Sequence, residues 1–150
     1  MSKSTDEKVT IDVIQSLEDG KSGFEKAAEK LTESTRPELA AKMTEYAGQR
    51  SRFATELRDL AAQYGDDIEK EGSVAGAMHR GWMAVKDAIS GDDPEGVLDA
   101  AEQGEDHAVS EYKDALDEDI SPRLRTVLER QYADVKAAHD SVKMLRNTNS

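Results

Sequence analysis

The chain has 150 residues, enough for one domain with a buried core, and it contains few glycines and prolines. Lys and Arg number 20 against 32 Asp and Glu, and the net charge of −12 disfavours binding to nucleic acid or to an anionic membrane surface. The absence of cysteine excludes disulfides and thiolate chemistry, and no apolar run reaches the length of about 18 residues needed to span a membrane. We therefore expect a cytoplasmic protein that forms a single domain over residues 1–150.

Apolar residues recur at steps of three and four along five segments, the spacing of one face of an α-helix. Pro37, Pro94 and Pro122 stand in the first turns of three of these segments, where proline is tolerated. Four long segments joined in the middle by a long connection are typical of a ferritin-like four-helix bundle with a crossover. The fold class we expect is therefore all-α, with predicted helices over residues 6–33, 36–64, 73–90, 94–119 and 122–146.

Two positions on the first two predicted helices depart from the apolar pattern. Gly20 lies in the inward stripe of the first helix, where a side chain would normally fill space, and Arg50 is the only charged member of the stripe on the second. A turn centred near residues 34–35 would place both positions at equal distances from it on antiparallel helices. We therefore expect the long side chain of Arg50 to face Gly20.

The predicted short helix, residues 73–90, belongs to the crossover between the second and fourth segments. Its apolar residues fall on one face and include Trp82, the only tryptophan of the chain. We expect this face to lie against the bundle. Alternatively, the apolar surface of the crossover forms an interface with a second copy of the chain or with a protein partner.

Two carboxylates occupy inward positions on the predicted helix 94–119. Leu98, Glu102, Glu105, Val109 and Tyr112 follow one another at steps of four and three, so both glutamates belong to the face that should be buried. A buried carboxylate without a partner is too costly to be retained. The sequence therefore predicts a group inside the bundle that answers these charges.

A metal is one such group, because di-iron bundles use glutamates from two helices and Glu-x-x-His motifs from the other two. The Glu-x-x-His motifs are missing here: the second helix has Arg50-Ser51-Arg52-Phe53 at that place, and the last has Lys136-Ala137-Ala138-His139. An iron or manganese site with incomplete protein ligands stays an alternative. Its candidate ligands are Glu18, Glu25, Glu102, Glu105 and His139.

The other group that could neutralise the two buried carboxylates is Arg50. A guanidinium carries five N–H donors in a planar fork, enough to bind one carboxylate through both oxygens and to reach a second. We expect Arg50 to take the role that a metal would otherwise have, with no cofactor. The predicted polar network is Arg50, Glu102, Glu105, Gln131 and His139.

Several motifs resemble a bacterial family of small ferritin-like four-helix-bundle proteins that is described as a domain of unknown function. The most specific is the crossover segment Ser73-Val74-Ala75-Gly76 to His79-Arg80-Gly81-Trp82, and others are Asp19–Phe24, Arg50–Leu57, Gly104–Asp106 and Ala138–Asp140. The resemblance implies the fold but no established activity. The wider superfamily includes di-iron oxidases, peroxide-scavenging proteins and iron stores, which by analogy implies a link to stress responses. We expect a non-enzymatic protein with a structural, stress-related or partner-binding role.

Overall fold

The computed structural model of the protein describes residues 5–33, 36–63 and 94–148. These residues contain no β-strand, which confirms the all-α class for the described part of the chain. None of the described helices is long and apolar enough to cross a membrane. The predicted helix 73–90 lies outside the described residues. The four helices are α1 (Thr5–Glu33), α2 (Pro37–Gln63), α3 (Pro94–Leu116) and α4 (Pro122–Thr148).

Helix α3 ends at Leu116, whereas the sequence predicted an end near residue 119. Backbone N–H groups of the next two residues donate to carbonyls three residues earlier, so the last turn tightens and the helix stops. Arg125 of α4 donates to the carbonyl oxygens of Leu116 at 2.8 Å and Glu118 at 3.0 Å. These bonds satisfy carbonyls that a helix end leaves without partners.

Helix α4 begins with a serine cap followed by proline, as the sequence predicted. The Ser121 hydroxyl accepts a hydrogen bond from the backbone N–H of Leu124 at 3.3 Å. The backbone N–H of Ser121 in turn donates to the Asp6 carboxylate at 2.9 Å. The start of α1 is therefore held to the turn between α3 and α4.

Two buried apolar clusters show how the helices run. One cluster joins the first half of α1 and of α4 to the second half of α2 and of α3, and the other cluster joins the opposite halves. Helix α1 is therefore antiparallel to α2 and α3, whereas α2 and α3 run in the same direction. The largest buried side chains in the clusters are Ile14, Leu17, Leu57, Tyr112 and Leu124 in the first and Phe24, Leu31, Met43 and Leu98 in the second.

The packing of neighbours places α2 and α3 diagonally across the assembly. Helix α1 packs extensively against α2 and α3, and α3 packs against α4, while the backbones of α2 and α3 approach each other at very few points. A side chain that joins α2 to α3 must therefore cross the interior. Arg50 and Glu105 do so between the two apolar clusters.

Candidate functional site

The most unusual feature of the interior is an ion pair between Arg50 of α2 and Glu105 of α3. Nη1 of Arg50 donates to Oε1 of Glu105 at 2.5 Å, and Nη2 donates to Oε2 at 2.7 Å. The two side chains are 1% and 0% exposed, so water contributes almost nothing to their solvation. Charge-assisted hydrogen bonds in this two-by-two arrangement are among the strongest that side chains make. The pair can remain inside the protein because each charge answers the other.

The third nitrogen of the guanidinium also has a hydrogen-bond partner. Nε of Arg50 donates to Oε1 of Gln49 at 3.1 Å, so each of its three nitrogens has an acceptor. The guanidinium carbon lies 5.2 Å from the centre of the Phe24 ring, within the range of a cation–π contact. Phe24 in turn packs on Tyr46, with ring centres 5.4 Å apart. Polar partners therefore fix the edges of the guanidinium, and an aromatic ring of α1 lies within cation–π range.

Gly20 is buried on α1, in agreement with its place in the inward stripe. Gly104, next to Glu105 on α3, is buried as well. The expected approach of Arg50 to Gly20 stays a prediction. A buried glycine adds no side-chain volume to the interior.

A second group of polar side chains is linked by hydrogen bonds that run from the interior towards the surface. The Tyr112 hydroxyl donates to Oε1 of Gln131 at 2.7 Å, and Nε2 of Gln131 donates to Oε1 of Glu56 at 2.8 Å and to the carbonyl oxygen of Phe53 at 3.3 Å. Glu56 also forms an ion pair with Arg130 on the surface. We expected Gln131 to complete the network of Arg50, but its hydrogen bonds are with Tyr112, Glu56 and the backbone of Phe53.

Tyr112 lies close to the Arg50–Glu105 pair and to Glu56. Burial raises the pKa of its hydroxyl well above the ordinary value of 10.0. The positive charge of Arg50 opposes this rise, whereas Glu56 and Glu105 add to it. The hydroxyl therefore stays protonated and serves as a hydrogen-bond donor.

Glu102, predicted to share Arg50 with Glu105, has a different partner. Nε of Arg146 on α4 lies 2.7 Å from Oε2 of Glu102, although the two atoms are not aligned as a hydrogen bond. Nη1 of the same guanidinium donates to Asp99 at 3.2 Å. The Glu102 side chain is 14% exposed, so it sits at the edge of the interior. The structure differs here from the prediction because the spacing along a helix cannot distinguish the centre of a buried stripe from its edge.

His139 also lies outside the buried pair. Its Nε2 is 2.6 Å from Oδ1 of Asp106, and its Nδ1 is 3.2 Å from Oδ1 of Asp140, both exposed carboxylates. Burial opposes protonation of the ring, but the hydrogen bonds with Asp106 and Asp140 outweigh it and raise the pKa of His139 above 6.5. This histidine binds surface acids, whereas the prediction assigned it to the interior network.

The five candidate metal ligands do not converge. Glu18 pairs with Arg58 at 3.0 Å, and Glu25 is exposed on α1. Both oxygens of Glu105 accept hydrogen bonds from Arg50. Within residues 5–33, 36–63 and 94–148, no group of three or more His, Cys, Asp or Glu side chains is arranged to hold a metal ion. These residues do not fit the iron or manganese site that the sequence left open as an alternative.

Sequence reasoning missed Phe24, which lies near the guanidinium of Arg50, and Glu56, which accepts a hydrogen bond from Gln131. Phe24 is four residues after Gly20 on the same stripe of α1, and this spacing could have placed it near Arg50. Glu56 is only partly buried, and no pattern in the sequence singles it out among the many acids. Its role depends on the distance between α2 and α4, which only the tertiary structure gives.

Residues 9–118 match the family model described as Domain of unknown function (DUF2383). The matched region includes Phe24, Arg50 and Glu105, whereas α4 with Gln131 follows it. A comparison with curated proteins gives no significant match.

Proposed function

We propose that this chain, which belongs to the DUF2383 family, is a non-enzymatic ferritin-like scaffold whose central cation is its own Arg50. Its role is structural or partner-binding, and the link to stress responses rests on the resemblance. One observation carries the proposal: the two-by-two hydrogen bonding of Arg50 and Glu105, with both side chains fully buried.

The directions of the helices support the ferritin-like part of the proposal. Helices α2 and α3 are parallel and lie diagonally, and α1 packs against both of them in the antiparallel direction. Helix α2 ends at one end of the assembly, and α3 begins at the other end. Second and third long helices that run in the same direction are a feature of four-helix bundles with a crossover connection.

The chemistry of the pair supports the non-enzymatic part. A metal that activates a substrate needs carboxylates with free lone pairs and an open coordination position. Here the guanidinium of Arg50 donates hydrogen bonds to both oxygens of the central carboxylate. The interior therefore offers a fixed, self-neutralising pair that orients α2 relative to α3.

For a partner-binding role, the charge of the chain defines the partner. The net charge of −12 attracts basic surfaces and repels acidic ones. Encounter with a basic protein partner should be fast at low salt and should slow as salt screens the charges.

Metal analysis separates this proposal from the metal-binding alternative. The full chain would be purified without chelator, assayed for bound metal, and titrated anaerobically with Fe(II) and with Mn(II). Glu105→Gln keeps the shape of the side chain, and Glu129→Gln, on the exposed side of α4, is the matched control. We expect no stoichiometric binding to any of the three proteins. Stoichiometric metal in the wild type and in Glu129→Gln, but not in Glu105→Gln, would overturn the proposal.

A further inference from the structure

A small cavity lies between the first half of α1 and the second half of α3, away from the Arg50 pair. Its volume is about 60 Å³, enough for a few water molecules. Val9 and Ala115 form its apolar walls, and its other lining residues are all acidic: Asp12, Glu111, Asp114 and Glu118. The cavity thus gathers four carboxylates from α1, α3 and the turn after α3, without a basic residue among its lining residues.

Glu111 is the carboxylate most affected by this arrangement. Burial raises its pKa, the charges of Asp12 and Asp114 raise it further, and the resulting value is about 7. Burial and the charge of Glu118 likewise raise the pKa of Asp12 above its ordinary 3.8. In the described parts of the chain, no ion pair with a cation answers Glu111.

The charged groups around the cavity come from three helices and one turn. Asp12 faces it from α1, Asp114 from α3, and Glu118 from the turn after α3. From α4, Arg125 reaches this end of α3, where its guanidinium binds backbone carbonyl oxygens. The other titratable groups within one turn of these acids do not line the cavity. Tyr112 is buried, and the rest are exposed: Lys8, His107, Lys113, Asp117 and Asp119.

The cavity sits where α1 is fastened to the rest of the molecule. Val9 and Ala115, which line it, also belong to the first apolar cluster together with Ile120 of the following turn. The hydrogen bond from the Ser121 N–H to Asp6 closes the same end. Repulsion among the four carboxylates therefore acts directly against these contacts.

We infer that the cavity is a pH-sensitive contact between α1 and α3. Glu111 takes up a proton from solvent, and this protonation tightens the packing of α1 against α3. Protonation removes one of four like charges and also the cost of keeping a charge in a half-buried place. Loss of the proton restores both penalties and loosens the first half of α1. The inference is independent of the Arg50 pair and of the proposed function.

The sign of the effect follows from proton binding. A carboxyl whose pKa is raised on folding binds more protons in the folded chain than in the unfolded chain. Its favourable contribution is full below the ordinary value of 4.5 and is lost as the pH rises through about 7. Stability at this end of the molecule should therefore fall between mildly acidic and mildly basic pH.

The direct test is a carbon-13 NMR titration of the Glu111 carboxyl group in the full chain, with melting temperatures at about pH 5.5 and pH 8. We expect a titration midpoint near 7. We also expect Glu111→Gln to melt about 2–6 °C above the wild type at pH 8 and above it by less than half of that margin at pH 5.5. Amide hydrogen exchange in residues 5–17, corrected for the intrinsic rate, should be faster at pH 8 than at pH 5.5 in the wild type but not in Glu111→Gln.

Glu129→Gln is the control, because it makes the same chemical change on an exposed part of α4. It should lose stability with pH as the wild type does. Asp12→Asn should lower the titration midpoint of Glu111, since it removes the nearest charge from α1. A midpoint below about 5.5, or parallel melting curves for the wild type and Glu111→Gln at both pH values, would overturn the inference.

Discussion

Replacing Arg50 with methionine removes the guanidinium but keeps a long, unbranched side chain in the core. Glu105 would then lose both of its hydrogen bonds from Arg50 while its side chain remains 0% exposed. Phe24 would lose the cation near its ring and gain a sulfur-containing side chain, which aromatic rings also accept. The main consequence is therefore a carboxylate stranded in the interior.

The expected cost follows from the burial of the pair. Removing one partner of a buried ion pair destabilises a protein by about 3–5 kcal/mol, because the remaining charge has lost its solvation and its partner. In a chain of this size, each kcal/mol lowers the melting temperature by about 2–4 °C. Arg50→Met should therefore melt at least about 6 °C below the wild type.

The assay is urea unfolding followed by circular dichroism, which gives the free energy of unfolding for each variant. Arg52→Met is the matched control, because Arg52 lies two residues away on the same helix and is exposed. It should change the free energy of unfolding by less than about 0.5 kcal/mol. If Arg50→Met is as stable as Arg52→Met, the reasoning about the buried pair is wrong.

Three further predictions concern contacts at other levels of the structure. Tyr112→Phe removes the buried hydroxyl that donates to Gln131 and should lower the free energy of unfolding in urea by about 1–3 kcal/mol. An unchanged free energy of unfolding would contradict a stabilising role for this hydrogen bond. Ser121→Ala removes the cap of α4 and should cost about 1 kcal/mol, measured in the same way. Asp106→Asn should lower the pKa of His139 in a proton NMR titration. Because the raised pKa stabilises the folded chain only below it, this variant should lose stability near about pH 6 but not near about pH 9.

The sequence was sufficient to place Arg50 and Glu105 in the interior, because both interrupt stripes of apolar residues at helical spacing. A charge at such a position needs a partner, and in the structure Arg50 donates to both carboxylate oxygens of Glu105. The helix starts at Pro94 and Pro122 followed from the same kind of local rule.

The sequence did not determine which residues complete each polar group. Glu102 occupies the same stripe as Glu105, yet it forms an ion pair with Arg146 near the end of α4. This pairing depends on how far α4 extends. Gln131 is buried as its stripe suggests, but it bonds to Tyr112 and not to Arg50. Such choices are set by the rotation and spacing of neighbouring helices, which a periodic pattern does not record.

The repulsion around Glu111 was equally invisible in the sequence. The chain has 32 acidic residues, and nothing in their spacing distinguishes one that faces another helix from one that faces solvent. Only the contact between α1 and α3 brings Asp12 to the same cavity.

A double-mutant cycle on Arg50 and Glu105 tests the central claim most directly. Urea unfolding would give the free energies of the wild type, Arg50→Met, Glu105→Leu and the double variant. We predict that each single variant loses about 3–5 kcal/mol, whereas the double variant recovers most of this loss because no charge is left unpaired. A double variant whose loss equals the sum of the two single losses would contradict the claim that Arg50 and Glu105 answer each other in the core.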